Sequence, residues 1–267
     1  MGAPRQGFLT FTRIGFAARG VMYLLVAWMA VRLGRAEDAG RALGYLGSGR
    51  GRFLLAAMAA GFAAYGLWRL ADAGFDFERR GDEWKKLAVR AGGAGSGLIH
   101  LGLAFTAARL AIGSGGGGGG SSRKAEAGAS MALGLPGGSV VLLIGAAILL
   151  AAAGFQVAKA VRRKFLDHLR PDVRDRWWVL AAGCGGYVAR GAVFATAAWL
   201  LFRAGTDHRA SEAGGLGDAL RALPSAAETA VAGGLALFGA FCLIEAWYRI
   251  LPDPSVPDKL KRKLPGR

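Results

Sequence analysis

Six apolar stretches divide the chain, and each approaches or exceeds the roughly 20 residues that cross a ~30 Å hydrocarbon core. They run over Ile14–Val31, Phe53–Ala71, Ala91–Ile112, Ser139–Ala158, Trp177–Phe202 and Ala230–Leu251. No other feature narrows the fold so far. In lipid the backbone must satisfy its own hydrogen bonds, so such runs fold as helices. Rich in alanine and glycine, they would be marginal helices in water, but their small residues let helices approach closely in a membrane. The first stretch has the length of a signal sequence, yet it shows no clear cleavage region and five similar stretches follow. The expected fold class is all-α: a polytopic membrane protein of one transmembrane domain over 1–267.

Charge supports this reading. The chain carries a formal +16, yet only 19% of its residues are charged, below the ~25% usual for soluble domains. A basic chain also invites a nucleic-acid reading. Here the basic blocks alternate with apolar runs instead of forming one stripe, so nucleic acid is not an expected partner. Two cysteines are too few for a disulfide framework or a four-thiolate site, and three scattered histidines do not make a metal centre. No metal and no cofactor is expected. Twenty of the 34 basic residues fall between alternate stretches or in the basic tail 252–267, against eleven in the opposite connectors. The positive-inside rule then places both termini in the cytoplasm. Trp28, Trp68, Trp199 and Trp247 read as interfacial anchors.

The chain also repeats itself. Ala18-Arg19-Gly20, followed by Tyr23 and Trp28, recurs as Ala189-Arg190-Gly191, followed by Phe194 and Trp199. A degenerate copy with Gly97, His100 and Phe105 lies between them, at offsets of 77 and 171 residues. Trp68, Gln156 and Glu245 share a position in the second helices, and Phe77 and Phe165 share one in the loops beyond. An Ala-Leu-x-x-Leu pattern precedes two second helices, at Ala42, Leu43 and Leu46 and at Ala219, Leu220 and Leu223. Three helix–connector–helix units follow, over about 13–90, 91–176 and 177–251. Two helices per unit make the repeats parallel, unlike the inverted repeats common in transporters. The expected assembly is six spans in a pseudo-threefold bundle. The tract from Gly113 to Gly120 reads as a flexible linker inserted in the weakest repeat.

These motifs resemble a bacterial membrane family catalogued as domain of unknown function 1206, with three two-helix repeats. The likeness rests on the two Ala-Arg-Gly segments and on Glu245-Ala246-Trp247-Tyr248-Arg249, and spans about Arg13 to Ile250. The middle repeat departs from it, with Gly95-Ser96-Gly97 in place of the arginine motif. The resemblance implies the fold but no activity.

A few polar residues stand inside the apolar stretches. Arg19, Arg190 and Glu245 lie at matching depth on the cytoplasmic side. Ionisable groups there are costly unless paired, hydrated or able to reach the surface. Glu245 is expected to pair with Arg19 or Arg190, the other arginine reaching lipid phosphate. The sharper alternative is an inward-facing site for an anionic ligand or headgroup, lined by Gln156, His100 and Tyr23. No catalytic residue is assigned. Cys184 and Cys242 read as packed small side chains, and the mixed-charge loops around Asp72–Glu83 and Asp167–Asp175 as locally balanced. The first expectation for function is a non-catalytic module that binds membrane lipids, with a membrane-protein partner or a second copy as the other candidates. The alternative is a small channel or transporter for an anion or proton through the Arg19/Arg190/Glu245 cluster. An intramembrane enzyme comes third, with only His100 and Glu245 to offer.

Overall fold

The computed structural model describes residues 3–33, 43–44, 46–47, 51–75, 84–113 and 121–250. The stretch 34–42, the loop 76–83, the glycine tract 114–120 and the tail 251–267 lie outside them, and with them the expectations for Ala42, for Phe77, for the first acidic loop beyond Asp72 and for the basic tail. The long helices are α1 (Ala3–Leu33), α2 (Gly51–Phe75), α3 (Trp84–Ala111), α5 (Gly138–Val161), α7 (Trp177–Thr206) and α9 (Ser225–Tyr248). Shorter helices are α4 (Ser121–Leu133), α6 (Pro171–Arg174) and α8 (Leu216–Arg221).

Five of these helices are long and apolar enough to cross a membrane, over Arg13–Val31, Gly51–Phe75, Gly138–Val161, Trp177–Thr206 and Ser225–Tyr248. The third expected span forms its helix, α3, and at 28 residues it is long enough. Its composition is weaker. Gly92, Gly93, Gly95, Ser96, Gly97, His100 and Gly102 dilute the leucines and isoleucines, so α3 does not join the five.

The helices lie side by side in the order α3, α2, α1, α9, α7, α5. The most extensive packing joins α2 to α3, α5 to α7, and α9 to α1, which in the repeat frame read from the sequence links each second helix to the first helix of another unit. Glycine sets the approach. A Cβ on Gly20 would stand 2.8 Å from the Gly239 carbonyl oxygen, and one on Gly239 2.9 Å from that of Gly20. Gly66 and Gly97 face one another in the same reciprocal way, at 2.9 Å in both directions. Backbones this close exchange dispersion contacts along the whole seam, the main attraction left where lipid tails remove the hydrophobic drive.

Leu43 and Leu220, the matched leucines of the first and third connectors, are both fully buried. Leu43 packs with Leu55, Met58 and Phe62, and Leu220 with Val26, Met29 and Leu235. The glycines of the middle connector, expected as a linker, lie outside the described residues from 114 to 120; beyond them the connector folds as α4, whose Ala129 is buried in a cluster with Leu142, Ala204 and Ala213. In the third connector Asp218 accepts the Gly215 N–H at 2.9 Å and a bond from Arg221. Partial burial opposes its ionisation, but hydrogen bonds from Ser122, Gly215 and Arg221 prevail and hold its carboxyl below the usual range.

At the opposite end, a 3₁₀ turn over Lys164–His168 drives Phe165 fully into the bundle, stacked on Tyr187 at 5.5 Å and edge-on to Phe241 at 5.1 Å. The turn is tied to the end of α9 by Ile250 N–H to the His168 carbonyl at 2.8 Å. Arg90 of α3 donates to the Ala73 carbonyl (2.7 and 2.9 Å) and to the Gly74 carbonyl (3.1 Å), covering the C-terminal carbonyls of α2 with positive charge. Trp28, Trp199 and Trp247 are exposed as anchors should be, but Trp68 is buried.

Candidate functional site

Arg19 and Arg190 stand near the middles of α1 and α7 rather than at their ends: α1 starts well before its apolar stretch, whereas α7 and its stretch both start at Trp177 and Arg190 lies midway along them. Their side chains converge on one ring, Phe238 of α9. The guanidinium carbon of Arg19 lies 4.9 Å from its centroid and that of Arg190 4.6 Å. Tyr23 completes the group at 5.8 Å from each guanidinium, and its ring meets Phe238 edge-on at 4.9 Å. Arg190 also lies 5.3 Å from Phe194. A cation on a desolvated aromatic face gains about 2 kcal/mol, which helps hold these charges but supplies no counter-ion.

Arg19 is buried and, among the described residues, makes one hydrogen bond, from Nη1 to the Tyr65 hydroxyl at 2.8 Å, while its Nε has no partner there. Arg190 has no hydrogen bond and no ion pair among the described residues. Tyr65 continues the group: its ring lies 4.5 Å from that of His100, which is buried on α3. His100 Nδ1 donates to the Ser96 carbonyl at 2.7 Å. A carbonyl only accepts, so in the neutral ring the proton sits on Nδ1 and Nε2 is a bare acceptor. That Nε2 is buried without a partner.

Glu245 does not join the arginines. It accepts from Arg249 Nη1 at 2.5 Å, one helical turn further along α9, and Arg249 lies on the Phe16 ring at 4.9 Å. Local i,i+4 reach competes successfully with a tertiary partner here. Gln156 is buried on α5 against α7, its Cβ 3.7 Å from where a Cβ of Gly191 would stand. The structure therefore brings Arg19, Arg190 and Tyr23 together, adds His100 through Tyr65, and leaves Glu245 with Arg249.

Two members of the group escaped sequence reasoning. Phe238 precedes Glu245 by seven residues, two helical turns on one face, so that spacing was a usable signal. Tyr65 is one turn before Trp68, but nothing in the sequence distinguishes it from a packed aromatic. Nearby, Lys159 Nζ lies 4.8 Å from the Tyr187 centroid, and Asp72, almost fully buried, faces Arg69 at 3.9 Å. Among the described residues no group of three metal-ligating side chains forms.

Taken together, the fold and this group define an all-helical, multi-pass membrane protein with a buried arginine, Arg19, and a half-buried one, Arg190, neither paired with a carboxylate among the described residues. A family model of a Domain of Unknown Function (DUF1206) matches three segments, 14–76, 91–163 and 185–249. The chain belongs to that family. Each segment lies within one of the units 13–90, 91–176 and 177–251 and is shorter than it. No curated protein and no solved structure matches the chain.

Proposed function

We propose that the protein is a non-catalytic module of the bacterial inner membrane that binds anionic lipid. One observation carries this: two guanidiniums flank Phe238 and neither has a carboxylate partner among the described residues. Arginine keeps its charge at any physiological pH and presents forked donors suited to phosphate. Such a group, lodged among apolar helices, is stabilised by an anion from outside the chain. In this reading all six long helices cross, α3 included, and the termini face the cytoplasm. The three units form a pseudo-threefold bundle, supported by the recurrence of the same packing between α2 and α3, α5 and α7, and α9 and α1. The surrounding lipid, rather than a protein subunit, is the partner of first choice because the exposed faces of α5 are apolar, with Val141, Ile144, Ile148 and Phe155 outward.

The test is lipid retention by native mass spectrometry after purification into nanodiscs of mixed phosphatidylglycerol and phosphatidylcholine. Arg19→Ala and Arg190→Ala should each lower retention of the anionic lipid about tenfold, the effect of one lost charged hydrogen-bonding group. Unchanged retention in folded variants refutes the reading. Transport of an anion is the second reading, favoured by the mid-helix height of both arginines. Flux across liposomes that both variants abolish would establish it instead.

A further inference from the structure

The group around Phe238 holds an unmet acceptor as well as unmet donors. Arg19 Nε and the guanidinium of Arg190 offer N–H groups that no described residue takes. His100 Nε2 offers a lone pair that no described residue meets, in a side chain only 7% exposed. Tyr65 joins the two halves, with its hydroxyl on Arg19 and its ring against His100. A simple anion satisfies the arginines and leaves the histidine unmet, and a buried acceptor left unpaired is costly. The complementary ligand carries a negative charge and a hydrogen-bond donor together.

The row of helices also has an open end. α3 and α5 lie at its two extremes and do not pack along one another. A Cβ on Gly92, Gly95 or Gly102 of α3 would meet nothing within 4 Å. Leu98, Ile99 and Phe105 of α3 and Ile148 and Phe155 of α5 are exposed. The helix that carries His100 therefore borders apolar surface continuous with the bilayer, a route suited to a chain-bearing ligand.

We infer that the site selects an anionic phospholipid with a hydroxylated, glycerol-type headgroup, which reaches it laterally past α3: phosphate on Arg19 and Arg190, headgroup hydroxyl donating to His100 Nε2. This rests on the proposed reading of the two arginines as an anion site. The repeat supplies a gentle variant. His100 stands at the position of Phe194 in α7, so His100→Phe introduces the side chain that the fold already uses there.

The test compares phosphatidylglycerol with phosphatidylmethanol, a phosphodiester of equal charge without a headgroup donor. In nanodiscs containing both, the wild-type chain should retain phosphatidylglycerol over phosphatidylmethanol about tenfold, the cost of leaving a buried acceptor unpaired. His100→Phe should erase that preference while both lipids are still retained over phosphatidylcholine. Soluble glycerol phosphate should not displace the lipid. Equal retention of the two lipids by the wild type, a preference that survives His100→Phe, or displacement by glycerol phosphate overturns the inference. Loss of anionic retention in Arg190→Ala, with no preference in the wild type, leaves the anion site standing and removes only the headgroup assignment. Retention that Arg19→Ala and Arg190→Ala leave unchanged removes both.

Discussion

The seam between α1 and α9 makes Gly20→Ala the sharpest test of how the bundle is held. The new methyl would stand 2.8 Å from the Gly239 carbonyl oxygen and 2.9 Å from two carbons of Leu243, where ordinary contact begins at 3.4 Å. Leu243 can rotate, but the backbone oxygen cannot, so the helices must part. Opening a seam by about 0.5 Å forfeits about a quarter of each contact's dispersion well. Overpacking of this kind costs about 1–3 kcal/mol. Alanine's better helix propensity offsets up to about 1 kcal/mol of that. The net expectation is a loss of about 1–2 kcal/mol. Gly92→Ala supplies the control, since its methyl would meet nothing within 4 Å and keeps the propensity gain alone. Reversible unfolding of both variants in mixed micelles reads the difference directly. Gly20→Ala should be the less stable, and equal stabilities would refute the argument that this close approach holds α1 to α9.

Two further perturbations probe regions outside that seam. Phe165→Ala should destabilise the protein by about 3 kcal/mol, the usual cost of deleting a buried aromatic, because the ring is fully enclosed by Tyr187 and Phe241; the same micelle unfolding measurement checks it. Asp218 should contribute a pH dependence. Its carboxyl is held below the usual range by Ser122, Gly215 and Arg221 against partial burial. The stability it adds is therefore complete above the ordinary carboxylate range and is lost as pH falls through the lower folded value. Thermal unfolding followed from neutral to acid pH should lose less stability in Asp218→Asn than in the wild type, and parallel curves would count against the assignment.

Periodicity and repetition made the helices legible, but not their partners. Gly20, Gly97 and Gly191 recur at fixed offsets because each stands where a second helix comes closest: Gly239 for the first, Gly66 for the second, Val157 and the Ala153 carbonyl for the third. Leu43 and Leu220 recur because each closes the outer end of a hydrophobic cluster. Such positions repeat since packing is a property of every unit. What failed was whatever depends on one unit alone. The helix α4 of the middle connector is stabilised by a tertiary cluster of Ala129 with Leu142, Ala204 and Ala213 that no local pattern advertises. Trp68 has the composition of an anchor but is turned inward. Glu245 matched Arg19 and Arg190 in depth, and depth is one coordinate of three. Azimuth decides which side chains meet, and along α9 it sets Arg249 one turn from Glu245, beside it, and Phe238 two turns away, between the arginines. The two charges that the sequence paired are thereby separated, and it is this separation that leaves Arg19 and Arg190 to an anion that the chain does not itself provide.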